Sequence, residues 1–158
     1  MAKKQEKTNV CRLLEQKKIA YTEHIYDGAE AISGVEVATV LGEDLNKVFK
    51  TLVTIGASKQ NYVFVVPVDS ELNLKKAAKA VGEKSIEMLK SKDLLPLTGY
   101  IHGGCSPIGM KKFFKTTVHE TAKDFDTIYF SGGKIGYQVE INPADLDKII
   151  PFQYADIV

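Results

Sequence analysis

Two strongly apolar stretches, VFKTLVTI at residues 48–55 and YVFVVPV at 62–68, constrain this chain more than any other feature. Valine, isoleucine, phenylalanine and tyrosine at this density favour extended backbone. The connection between them, GASKQN, is short, polar and contains glycine, so the pair is predicted to form a β-hairpin. Side chains alternate along a strand. Lys50 therefore shares a face with Val48 and Leu52, while Phe49, Thr51, Val53 and Ile55 share the other. Either face has apolar neighbours, so this lysine does not belong on an open surface. A buried lysine must find an anion or lose its proton; the alternative is that it snorkels to the strand edge.

Around the hairpin, local signals predict short helices and further strands. Thr8 caps a helix carrying Val10, Cys11, Leu13 and Leu14 inward, with Lys17 and Lys18 near its end. Residues 21–26 read as a strand that stops at the turn signal Asp27-Gly28, with His24 and Tyr26 on one face. Ser33 with Glu36 has the form of a capping box, opening a helix that Gly42 stops; Asp44 caps a further turn. A helix over 74–81 ends at Gly82, Ile86 to Leu89 gives a brief strand, and residues 94–97 a helical turn. Strands follow at 116–119, 127–131 and 135–141, the last two joined at Gly132-Gly133 as a hairpin. Asn142-Pro143 starts the last helix, with Leu146, Ile149 and Ile150 inward. Strands arriving in pairs, with short helices between, imply a mixed α+β fold: one mixed or largely antiparallel sheet with helices around it.

Length and composition narrow the class. The 158 residues suit a single domain spanning 1–158, with residues 1–7 flexible. At 44 % hydrophobic and 26 % charged the chain is an ordinary globular protein, and its formal charge of +1 gives no global sign of nucleic-acid binding. The lysines are nevertheless clustered, at Lys3, Lys4 and Lys7, at Lys75, Lys76 and Lys79, and at Lys111, Lys112 and Lys115. Such a patch either tracks phosphates or is a solvated surface. Two cysteines, Cys11 and Cys105, are too few for a disulfide scaffold. The polar stretch 1–8 is no signal peptide and no apolar run reaches transmembrane length, so a cytoplasmic protein without membrane contact is expected.

Residues 98–110, TGYIHGGCSPIGM, hold four glycines, a proline, a histidine and a cysteine. Such a loop presents backbone N–H groups in fixed directions, suited to an anion or to a carbonyl oxygen becoming one; it also serves as a tight connector between strands. Three other motifs fail. Ser131-Gly132-Gly133-Lys134 resembles a phosphate loop but joins two strands, without the full spacing. Cys105 and His102 suggest a thiol and its base, yet no Asp or Asn between them orients the imidazole, and a small buried side chain is the more usual role for the cysteine. His24, His102 and His119 match no metal-site spacing, so no metal or other cofactor is expected.

Six blocks in order resemble the YbaK family of free-standing aminoacyl-tRNA editing proteins, specifically its Cys-tRNA(Pro) deacylases. They are HIYD at 24–27, VFKTLV at 48–53, LNLKKAAKAVGEK at 72–84, TGYIHGGCSPIG at 98–109, DTIYFSGGK at 126–134 and VEINPADL at 139–146. The family is similar to the editing domain of bacterial prolyl-tRNA synthetases. The resemblance implies a twisted mixed sheet of six to seven strands closing toward a barrel, with helices outside. It implies Lys50 as the central pocket residue, and points to Tyr26, to Ser131 and to the GxxxP loop Gly103, Gly104, Cys105, Ser106, Pro107.

It also implies a reaction. The thiol of cysteine esterified to tRNA(Pro) attacks its own ester carbonyl, expels tRNA and leaves a cyclic thioester that later hydrolyses. A thiolate forms far more readily than an alkoxide near neutral pH, so cysteine is selected over serine by reactivity. The protein then needs to orient the thiol, and the loop amides to stabilise oxyanion charge. Lys50 either binds the terminal phosphate or ribose, or lowers the thiol's pKa. Tyr26 and Ser131 orient the adenosine or the amino group, and the lysine clusters Lys75, Lys76, Lys79, Lys111 and Lys112 contact tRNA phosphates. A complex with prolyl- or cysteinyl-tRNA synthetase is expected to supply tRNA selectivity. The alternatives are an Ala-tRNA(Pro) deacylase of the same fold and a non-catalytic RNA- or nucleotide-binding module.

Overall fold

A computed structural model describes residues 7–28 and 33–158. The expectations for Lys3 and Lys4, and for a flexible start except at Lys7, lie outside the described residues. Lys7 places its amine 2.6 Å from the Glu15 carboxylate.

The local signals act where the sequence put them. Helix α1 (Asn9–Gln16) is capped by Thr8, whose hydroxyl accepts the Cys11 N–H, and it buries Val10, Cys11 and Leu14. Strand β1 (Thr22–Ile25) follows. Helix α2 (Gly34–Leu41) opens on the Ser33–Glu36 capping box and ends at Gly42 in the left-handed region, φ +68°. Val35 and Val40 of this helix stay exposed. Asp44 caps a single 3-10 turn.

Strands β2 (Phe49–Gly56) and β3 (Asn61–Pro67) pair antiparallel as the predicted hairpin, with Lys50 opposite Val66. Helix α3 (Leu74–Val81) starts at Asn73, whose side chain accepts from the amides of Lys75 and Lys76. Strand β4 (Ile86–Met88), helix α4 (Ser91–Thr98) and strand β5 (Lys115–His119) follow. Strands β6 (Ile128–Ser131) and β7 (Tyr137–Ile141) form the second hairpin, β7 starting two residues later than predicted. Helix α5 (Pro143–Leu146) lasts one turn, and a strand absent from the sequence reading, β8 (Gln153–Ala155), closes the chain.

The predicted single sheet of six to seven strands is in fact two sheets with eight strands among the described residues. Five strands lie in the order β4-β2-β3-β5-β8, and three in the order β1-β7-β6. The β3–β5 and β5–β8 contacts are parallel and the others within the sheets antiparallel. One parallel bridge, Val48 to Tyr129, links the sheets, and no ladder among the described residues closes them into a barrel.

Alternation on β3 builds a core on each side of the larger sheet. Val63 and Val65 face α1 and the apolar face of the smaller sheet, with Ile128, Phe130, Val139 and Ile141. Tyr62, Phe64 and Val66 face Ala77 and Ala78 of α3, Ile86 and Ile157. A hairpin apolar on both faces thus becomes the buried centre of the molecule.

Candidate active site

From the Val48–Tyr129 bridge, β2 and β6 run the same way and part. The residues just beyond it, Phe49 to Val53 on one strand and Phe130 and Ser131 on the other, line a cavity of about 480 Å³. The first turn of α2 closes one end with Ser33, Gly34, Val35 and Val37; Met88, Leu89, Ser91 and Leu94 close another. Tyr26, Tyr137, Gln138 and the glycine loop, through His102, Gly103 and Cys105, complete the wall. The volume falls within the range of pockets that hold small molecules. Helix α2 approaches β3 closely enough that a Cβ on Gly34 would sit 2.3 Å from Val68 Cγ1, so this wall requires a residue without a side chain.

Lys50 is half-buried in that wall, and no carboxylate or hydrogen-bond partner engages its amine among the described residues. A cation walled largely by apolar side chains, without a protein anion, is a place for an anionic or polar ligand. Thr51 was not singled out in the sequence. The Val68 amide bonds the Val48 carbonyl, so even-numbered residues of β2 direct their peptide groups to β3 and odd-numbered ones away from it. The Val53 carbonyl accordingly accepts from Leu89, and β4 pairs only Thr54 to Gly56. The N–H and C=O of Thr51 are left on a strand edge at the cavity. Alternating geometry was legible in the sequence, but the length of β4, which sets where that edge opens, was not.

The glycine loop is fixed from within. The Tyr100 hydroxyl donates to the Ile108 carbonyl, and Lys111 N–H bonds Thr98 O at 3.0 Å. Its backbone also lies against the β6–β7 turn: a Cβ on Gly104 would be 3.2 Å from Ile135 N. Of the five residues from 103 to 107, Gly103 and Cys105 line the cavity. The other three are placed differently. Gly104 N–H is engaged by Ile101 O at 3.0 Å, Ser106 is buried with its hydroxyl accepting from Ile108 N–H, and Pro107 has no N–H and lines a separate groove. The amides of Gly103 and Cys105 have no hydrogen-bond partner among the described residues. Burial pushes the Cys105 thiol up to about 12, so it stays protonated near neutral pH. The Ser131 hydroxyl accepts from Gly133 N–H at 3.1 Å, which leaves its own hydrogen to donate.

A polar network backs the cavity on the outer face of the smaller sheet. Gln138, buried and lining the cavity, donates to Glu43 Oε1 at 2.9 Å. Glu43 Oε2 and Gln138 Oε1 are buried without partners. Burial raises the Glu43 carboxyl above its usual range, against the opposing pull of the Gln138 hydrogen bond. Next to it, Glu140 lies 2.9 Å from His24 Nε2 and accepts from Thr127 at 2.6 Å. Burial works to raise the Glu140 carboxyl, but these partners together hold it below the usual range. His24, His102 and His119 have separate surroundings: Glu140, the cavity, and the Ile157 amide.

The predicted phosphate contacts lie outside the cavity wall. Lys75, Lys76 and Lys79 are exposed on α3, and Lys76 is engaged by Asp156 and the Val158 carbonyl, each at 2.8 Å. Lys111 and Lys112 are exposed just after the glycine loop. Among the described residues, no helix is long and apolar enough to cross a membrane.

Comparison with known proteins agrees with this architecture. EbsC of Enterococcus faecalis, whose name ascribes to it Cys-tRNA(Pro)/Cys-tRNA(Cys) deacylase activity, is 47 % identical over 160 residues, covering 99 % of this chain and 98 % of EbsC. A crystal structure of the hypothetical protein APE2540 matches with a TM-score of 0.84 at 21 % identity, over 92 % of this chain and 96 % of that one. A protein proposed to be a trans-editing enzyme for prolyl-tRNA synthetase matches with a TM-score of 0.79 at 22 % identity, over 95 % and 97 %. At such identities the two structural matches speak for the fold alone. The aminoacyl-tRNA editing domain matches residues 29–149, and with most of the chain covered by that family and nearly all of it by EbsC, this protein belongs to the aminoacyl-tRNA editing domain family.

Proposed function

We propose that this chain is a trans-editing deacylase that removes cysteine from tRNA(Pro), with Cys-tRNA(Cys) as a second substrate, and that the attacking group is the substrate's own thiol. The observation that carries the reading is Lys50, without a partner among the described residues, in a cavity whose one thiol among those residues, Cys105, is held protonated by burial. Such a site can bind and orient an aminoacyl ester without offering a thiolate of its own. Near-complete coverage by EbsC at 47 % identity supports the choice of substrate.

In the proposed reaction the cysteine thiol gives up its proton and its sulfur attacks the ester carbonyl. The carbon–oxygen bond to the ribose breaks, the ribose oxygen takes a proton, and a four-membered cyclic thioester leaves. Water then opens the thioester to free cysteine. The amides of Gly103 and Cys105, without partners among the described residues, stabilise the oxyanion. Lys50 holds the terminal phosphate or ribose, or favours the substrate thiolate, and Tyr26 and Ser131 orient the adenosine or the amino group. Exposed lysines, with Lys75 and Lys79 free of ion pairs among the described residues, contact acceptor-stem phosphates. The reaction belongs to the cytoplasm. Prolyl- or cysteinyl-tRNA synthetase supplies tRNA selectivity, because so small a protein offers little surface for reading an anticodon.

The test replaces cysteine on tRNA(Pro) by 2-aminobutyrate, which puts a methyl where the sulfur was. Binding should suffer by about 1–3 kcal/mol, as for a methyl-sized change in a pocket, while kcat should nearly vanish. Comparable kcat values for the two esters would refute the thiol mechanism. A panel of Cys-, Ala- and Ser-tRNA(Pro) with Cys-tRNA(Cys) reads substrate choice, and preferential cleavage of Ala-tRNA(Pro) would reassign it.

A further inference from the structure

The loop that lines the cavity also lines a second groove. Cys105 belongs to the cavity wall and Pro107 to a groove of about 310 Å³. Two residues of chain span at most about 7 Å, so the sites are immediate neighbours. The groove is walled by Met110, Lys112, Phe113, Phe114 and Ile149, among others. Phe114 is 8 % exposed and packs in the core, while Phe113 beside it is 53 % exposed. The buried ring anchors the segment and the other is displayed. Lys112 lines the groove and Lys111 is its neighbour in the chain; both are exposed and have no ion-pair partner among the described residues, whereas Lys115, opposite Tyr62, lies on the other face of β5.

A lone exposed phenylalanine needs no explanation. An exposed ring on an apolar groove, beside two lysines without ion-pair partners among the described residues, is a different object. Its chemistry complements a chain of flat apolar faces joined by negative charges, which is single-stranded nucleic acid. An amphipathic protein segment would fill the groove but leave the cations unanswered. If the cavity takes the aminoacylated nucleotide, the unpaired nucleotides before it must leave past the cavity wall, of which the shared loop forms one side. We propose that this groove, with Phe113 as a stacking platform and Lys111 and Lys112 as phosphate contacts, holds the unpaired 3′ nucleotides of tRNA that precede the aminoacylated one. The inference rests on the aminoacyl-tRNA reading of the cavity.

The experiment compares two RNA hairpins, one with a single-stranded 3′ tail and one blunt-ended, binding to the full chain by fluorescence anisotropy. The parent should prefer the tailed RNA. Phe113→Ala should weaken tailed binding by about 5- to 150-fold, the range for removing one stacked base, and leave blunt binding unchanged. Phe113→Trp should retain the preference. Because Phe113 is exposed, thermal melting of the variants should match the parent.

Equal binding of tailed RNA by Phe113→Ala and parent would overturn the proposal, as would a parent with no tail preference or no RNA binding. Capture of a synthetase lost in Phe113→Ala, with tailed binding intact, would assign the groove to a protein instead. Deacylation separates this proposal from the one beneath it. Cleavage of Cys-tRNA(Pro) with no Phe113 effect on KM or tail binding sinks the groove and leaves the editing reading standing. A Phe113-dependent tail preference without cleavage of any aminoacyl-tRNA sinks the editing reading and keeps the groove as an RNA site.

Discussion

Replacing Glu43 by glutamine should make this protein more stable near neutral pH, although it deletes a carboxylate that accepts a hydrogen bond. Gln138 Nε2 donates to Glu43 Oε1 at 2.9 Å, while Glu43 Oε2 and Gln138 Oε1 are buried acceptors without donors. Glu43→Gln keeps the shape and the acceptor, removes the charge, and puts an N–H₂ where the unpaired oxygen stood, with Gln138 Oε1, unpartnered among the described residues, as its expected acceptor. An unsatisfied buried acceptor costs about 1–3 kcal/mol. Glu43 is half-buried, and the attractions of His24 and Lys47 for its charge are lost, so the net gain is set at the lower end, about 1 kcal/mol. For a chain of this size that raises Tm by about 2–4 °C. The pH dependence carries the sharper test. Burial raises the Glu43 carboxyl above its ordinary 4.5 in the folded state, so its contribution to stability is fully present below pH 4.5 and is lost as pH rises through the folded value. The advantage of glutamine should therefore be largest at neutral pH and shrink toward pH 4.5. Melting curves of both proteins across that range measure it. A variant less stable than the parent at neutral pH, or an offset that ignores pH, would refute the reasoning.

The remaining predictions concern the cavity wall. Lys50→Ala should lower deacylation at least about a hundredfold, as removal of one preorganised electrostatic group does, with an unchanged melting curve; full activity would remove Lys50 from the site. Cys105→Ala should keep most of the activity and lose about 1 kcal/mol of stability, typical of a buried substitution. An acyl-enzyme trapped on Cys105 in the parent would contradict this. Gly34→Ala should destabilise by about 1–3 kcal/mol, because the new methyl falls 2.3 Å from Val68 Cγ1 and overpacks the junction of α2 with β3. It should also raise KM, since Gly34 and Val35 form part of the wall; unchanged KM and Tm together would show that the helix adjusts freely.

Features governed by near neighbours in sequence were the legible ones. The Thr8 cap, the Ser33–Glu36 box, the stops at Gly42 and Gly82 and the central hairpin each depend on a few adjacent residues. Strand β8 was missed because three residues carry no periodicity, and its partner β5 lies more than thirty residues earlier, with Thr117 opposite Gln153. The division into two sheets was hidden for a similar reason, since it turns on where β4 stops and on one bridge between residues 48 and 129. At the cavity, Lys50 announced itself as a charge inside an apolar strand. The different fates of Gly103 and Gly104 did not: Gly104 closes a four-residue turn onto the Ile101 carbonyl, and no motif marks which of two adjacent glycines does so. Thr51 sat inside the VFKTLV block without being singled out, and Gln138 carried no motif at all; register brings both to the wall.

The bridge between Val48 and Tyr129 makes the cavity a pair of jaws with a fulcrum at one end. Thr51 and Ser131 stand three and two residues beyond it, a lever arm of about 7–10 Å at the usual strand rise, so a rotation of about 5° moves them by about 0.6–0.9 Å. That is less than a bond length, yet comparable to what distinguishes one small amino acid from another. Strands tied at one end only would gauge width poorly if they opened about that point, since a slightly larger side chain would be met by a slightly wider angle. Under the proposed thiol mechanism, such a site would draw its selectivity from which substrates can react rather than from fit.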